Sequence, residues 1–99
     1  MNRAAESPPE FTPRQGQYLA FIHTYTLVNG RPPAQADMQR FFRVTPPSVH
    51  QMLLTLENSG LISRLPGVAR CVVVLVDPDH LPRLDPTGKQ PVKSSVTRY

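Results

Sequence analysis

The stretch from Val44 to Gly60, "VTPPSVHQMLLTLENSG", decides how this chain folds. Val49, Met52, Leu53 and Leu56 recur at three- and four-residue intervals, the spacing of one helical face. Thr45 stands at the N-cap, and Pro46 and Pro47 take the first two helical positions, where no intrahelical N–H bond is lost. Gly60 stops the helix. At ~100° per residue the side opposite Leu53 carries Pro47, His50, Gln51, Leu54, Thr55 and Asn58, with Ser48 at the flank. Hardly any of that surface is charged. A helix that only faced water would more often carry Lys and Glu there, whereas hydrogen-bonding side chains and small apolar contacts are what base edges in a DNA major groove require. Gln51 can pair with adenine through two bonds, His50 can donate to a guanine acceptor, and Ser48 and Thr55 suit either base or phosphate.

Working outward, two helices precede this one and a hairpin follows. "FTPRQ" opens the first helix, with Thr12 as N-cap, Pro13 at the first position and Gln15 completing a capping box. Tyr18, Ile22, Tyr25 and Val28 are expected on its inner face, with Leu19 and Phe21 flanking. Asn29-Gly30 ends it. The second helix is predicted over residues 34–42, with Met38, Phe41 and Phe42 inward and no side-chain cap from Ala34. Only "RV" separates it from the Thr45 cap, so the two helices must cross steeply, as in a helix-turn-helix. After Gly60 the periodicity changes. Residues 61–65 and 71–76 read as strands joined by a turn containing Pro66 and Gly67. The expected fold is therefore α+β: a winged helix-turn-helix, three helices followed by a two-stranded β-hairpin wing.

The 99 residues allow one small domain, predicted over 11–77. Residues 1–10 and the Pro-rich basic segment 78–99 show no sustained apolar periodicity and are expected to be largely disordered tails, although "DHLPRL" offers leucines to the domain edge. Net charge is +4, of which residues 11–77 hold +3, with every base an arginine. That balance favours an acidic partner. A lone cysteine, Cys71, forms no internal disulfide and reads as a small buried hydrophobe. No apolar run is long enough to cross a bilayer, and no secretory signal opens the chain. A cytoplasmic, nucleoid-associated protein is the expectation.

Phosphate contacts call for cations around the third helix. The candidates are Arg14, Arg31, Arg40 and Arg43, together with Arg64 and Arg70 at the wing. Pro46 and Pro47 remove two backbone donors from the start of the helix, which weakens that end as an anion site. His23, His50 and His80 lie in separate elements, and no Cys/His spacing fits zinc. Ser48 and His50 are two residues apart on one helix, so their side chains diverge. No catalytic residue, metal or cofactor is expected, and no small-molecule substrate. The partner expected is double-stranded DNA. One such module makes few contacts, so useful affinity calls for a homodimer or a partner protein. The alternative is a winged-helix module that binds protein instead, suggested by Leu54 and the prolines on the third helix.

"FTPRQGQYLAFI", "NGRPP" and "VTPPSVHQMLLTLENSGLISRLPGVAR" together resemble the N-terminal winged-helix DNA-binding domain of LexA repressors, over about residues 11–76. The resemblance implies a small bacterial or phage transcriptional regulator with the third helix in the major groove and the wing near the backbone. It assigns Thr45, Pro47, Ser48, His50 and Gln51 to base- and phosphate-facing positions and Arg70 to the wing position. Arg43 stands where the family commonly has a turn glycine, which implies a left-handed backbone there. LexA proteins continue into a self-cleaving protease; here neither protease nor self-cleavage is expected.

Overall fold

The computed structural model describes residues 10–64 and 72–86. Its first helix, α1 (Pro13–Asn29), opens on the predicted capping box. The Gln15 amide donates to the Thr12 hydroxyl at 3.1 Å, and the Thr12 amide donates to Gln15 Oε1 at 2.9 Å. Gly30, at φ 76°, closes the helix, its N–H donating to the Thr26 carbonyl. The second helix, α2 (Gln35–Phe42), starts at Ala34, which has no side-chain acceptor. Asp37 supplies half of a cap, its carboxylate accepting the Ala34 N–H at 2.8 Å. A carboxylate in the first turn also complements the helix dipole.

Arg43 ends α2 in the left-handed region, at φ 57° and ψ 51°, as the missing turn glycine implies. It is the one non-glycine at positive φ among the described residues. The third helix, α3 (Pro46–Asn58), begins immediately after the Thr45 cap. Here the expected cap is corrected in detail. Thr45 has cap geometry, but its hydroxyl bonds no backbone amide; it meets the Ser48 hydroxyl at 3.1 Å. The two prolines explain this: the first two helical positions offer no N–H, and the third, that of Ser48, donates to the Thr45 carbonyl at 3.0 Å. At the far end the chain forms a Schellman turn. Gly60 N–H donates to Glu57 and Leu61 N–H to Leu56, with Gly60 at φ 76°.

The wing is short. β1 (Ile62–Arg64) pairs antiparallel with β2 (Val72–Val74), Ile62 opposite Val74 and Arg64 opposite Val72. The intervening turn, with Pro66, Gly67, Arg70 and Cys71, lies outside the described residues. All elements meet in one core: Tyr18, Leu19 and Ile22 from α1, Met38 and Phe42 from α2, Val49, Leu53 and Leu56 from α3, and Ile62 and Val72 from the wing. Tyr18 stacks on Phe42 with centroids 4.1 Å apart, and Phe21 on Phe41 at 4.5 Å.

Two inner-face expectations change. Leu19 and Phe21 are buried in the core rather than flanking it, and Val28 is 76% exposed. The buried positions of α1 all fall between Gly16 and Ile22, so the last turns outrun the core they were expected to cover. The packed chain also continues beyond the Asp77 boundary. A 3₁₀ turn (Pro78–His80) leads into an extended arm whose Leu81 and Leu84 rest against the core. The leucines of "DHLPRL" thus reach the domain edge as the sequence offered, and the prolines beside them belong to a packed segment. Residues 1–9 and 87–99, the remainder of the expected tails, lie outside the described residues.

The left-handed Arg43 carries a cost in the native backbone that glycine does not. Arg43→Gly is expected to raise stability by about 1 kcal/mol, measured as a higher urea midpoint at unchanged m-value.

Candidate nucleic-acid interface

The row Val49, Leu53 and Leu56 is fully buried, which turns the other side of α3 to solvent. Thr45, Pro47, Ser48, His50, Gln51 and Asn58 are exposed, and Leu54 and Thr55 are half-buried. The uncharged flank is thus an open surface. Its hydroxyls are partly committed: Thr55 donates to the Gln51 carbonyl at 3.0 Å, which leaves its oxygen as an acceptor only.

Beside this flank runs an open groove of about 590 Å³. Pro47, Ser48, Gln51, Met52 and Thr55 form one wall, and Thr12, Arg14 and Gln15, from the start of α1, form the other. The structure therefore brings five of the predicted residues together: Arg14, Pro47, Ser48, Gln51 and Thr55. Thr12, Gln15 and Met52 complete the groove and were not anticipated. The first two were legible only as a helix cap, and Met52 only as an inward residue; its half-buried side chain serves both the core and the wall.

The remaining cations divide. Arg31 and Arg43 are exposed but line no part of the groove. Arg64 bonds Glu57, the one acid of α3, at 3.5 Å, so part of its charge is answered within the chain. Arg40 is held by Asp37 at 2.6 Å on its own helix, which removes it from the free cations expected near the turn. Arg70 is outside the described residues. Arg14 is the cation at the groove, its guanidinium carbon 5.7 Å from the centre of the Tyr18 ring. Burial pushes the Tyr18 hydroxyl above its ordinary pKa, and the charge and hydrogen bond of Arg14 pull the other way. At neutral pH the phenol is therefore uncharged. The start of α3 adds hydroxyls rather than amides, those of Thr45 and Ser48, because the prolines carry no N–H.

Among the described residues, no group of three or more His, Cys, Asp or Glu could hold a metal, and no helix is long and apolar enough to cross a membrane.

Three helices with a short α2–α3 turn, an exposed third helix and a two-stranded wing define the winged helix-turn-helix class. Residues 9–71 match the family model described as the LexA DNA binding domain, and the chain belongs to that family. It is 33% identical over 88 residues to a LexA repressor of Thermosipho africanus (strain TCF52B), covering 89% of this chain and 41% of that protein. It is 37% identical over 65 residues to a LexA repressor of Thermotoga petrophila (strain ATCC BAA-488 / DSM 13995 / JCM 10881 / RKU-1), covering 66% of this chain and 33% of the relative. The chain thus spans less than half the length of either protein.

The raised Tyr18 pKa has a defined sign. Above the ordinary value of 10.0 the unfolded chain loses the phenolic proton while the folded one keeps it. Stability from this group is full below that pH and falls as pH rises through the raised value. Urea midpoints measured from pH 8 to 11 should be level and then decline, and Tyr18→Phe should remove that part of the decline.

Proposed function

We propose that the domain binds double-stranded DNA sequence-specifically, with α3 in the major groove, and acts as a transcriptional regulator. The observation carrying this reading is the exposed, uncharged flank of α3 standing next to an arginine-bearing groove. Gln51 and His50 read base edges. Arg14 meets phosphate at the groove; Arg31, Arg43, Arg64 and Arg70 add phosphate contacts around it. Ser48, Thr45, Thr55 and Pro47 line the approach: the paired Ser48 and Thr45 hydroxyls offer a donor to phosphate or base, whereas Thr55, already donating to the Gln51 carbonyl, accepts from a base amino group. The names of the two relatives favour repression as the regulatory outcome. In this reading the domain binds and does not catalyse, and a homodimer or partner protein supplies the second half-site.

The exposed aliphatic residues Val73 and Leu75 on the outer side of the wing favour a second reading, a winged helix that binds protein. Titration against mixed-sequence duplex at low salt separates the two, since electrostatic attraction to DNA needs no particular sequence. No binding there would favour the second.

Duplexes selected from a random pool provide the specific test. Gln51→Ala and His50→Ala should each cost about 1–3 kcal/mol on the matched duplex and little on mismatched ones. Arg14→Ala should weaken binding to every sequence and reduce the salt slope by about 1. Full binding by all three variants would place the interface elsewhere.

A further inference from the structure

Gln17, in the second turn of α1, is only 3% exposed. A buried carboxamide is costly unless both its ends are bonded. Its Nε2 donates to the Arg83 carbonyl at 2.9 Å, and its Oε1 accepts the Asp85 N–H at 2.8 Å. One side chain thus holds a carbonyl and an amide two residues apart on the arm after the wing, much as a neighbouring strand would. Leu81 and Leu84 of the same arm rest against the core, as does Phe11. Over Gly16 the two meet: a Cβ there would stand 2.9 Å from both the Phe11 ring and Pro82. The absence of a side chain at Gly16 is what admits both.

We propose that Gln17 is a positioning residue for the groove beside α3. It straps residues 81–86 across the first turns of α1, and the strap pins Phe11 against Gly16. Phe11 immediately precedes the Thr12 cap, so its seat sets where Thr12, Arg14 and Gln15 stand as the groove wall. Gln17 itself lines no part of that groove. Its influence on a phosphate held by Arg14 is exerted through the strap, Phe11 and the cap. This inference rests on the DNA-binding reading given above.

Two variants test it in the full chain, Gln17→Leu and Gly16→Ala. Leucine removes both strap bonds at similar volume. Alanine at position 16 crowds Pro82 and Phe11 while improving helix propensity, so a loss of binding cannot come from a weaker helix. Amide exchange is followed at Asp85, and at Leu53 and Leu56 as a gauge of the intact core. Binding is measured on matched and singly mismatched duplexes across a salt series. The expected result is a freed Asp85 amide, retained protection at Leu53 and Leu56, and affinity lowered about fivefold, near the worth of one polar contact. The loss should be equal on both duplexes, with a salt slope shallower by about 1. A freed Asp85 amide with wild-type affinity and slope would overturn the positioning role and leave the DNA reading standing. An Asp85 amide still protected in both variants would overturn the strap itself. Should Gln17→Leu fail to fold, Gly16→Ala decides. Failure of the unmutated chain to bind any duplex would remove the DNA reading and this inference together.

Discussion

Burial of Val49, Leu53 and Leu56 is the constraint on which the rest of the molecule depends. Each of these side chains contributes about 1.5–3 kcal/mol when taken out of water. Together they rival the whole net stability of a small domain, commonly about 5–15 kcal/mol. Turning α3 by half a revolution would forfeit that contribution, so the helix has one permitted orientation. The opposite flank is exposed as a consequence, and its residues are free to be chosen for what they contact outside the chain. Hydrophobic burial, which is not directional, therefore sets the direction in which the hydrogen-bonding side chains point.

The connections on either side of α3 hold that orientation. Upstream, Arg43 turns the chain within a single residue by adopting the left-handed conformation, a geometry in which most side chains crowd the backbone. Downstream, the Schellman turn at Gly60 closes α3 and delivers Leu61 into the same core as Leu56. The wing follows directly, and Arg64 reaches back to Glu57, tying strand to helix at the surface. A half-buried pair this long, at 3.5 Å, adds little stability. Its effect is on charge: it mutes the one acid that α3 could present to an anion.

Much of this was legible because local signals agreed with one another. The Thr12–Gln15 box, the three-and-four spacing of Val49, Met52, Leu53 and Leu56, and the glycines at 30 and 60 each mark an element boundary or face by local physics. Distance in sequence hid the rest. Nothing near Gln17 announces that its carboxamide will meet Arg83 and Asp85, and Leu81 and Leu84 are too few to show a period. The groove was half legible for the same reason. Its α3 wall follows from helical geometry, but its α1 wall depends on how two helices lie together. Ion pairing was a third blind spot, since Arg40 and Arg64 read as open cations until Asp37 and Glu57 are seen beside them.

The Tyr18 ring joins the interior to the surface. It stacks on Phe42 within the core and lies under the guanidinium of Arg14 at the groove. The chain contains no tryptophan and three tyrosines. This single ring is accordingly a built-in spectroscopic probe with two readouts, one for cohesion of the aromatic interior and one for any anion that draws the arginine away. A ring resonance that shifts while the core stays protected would register an arrival at the groove without any label having been attached.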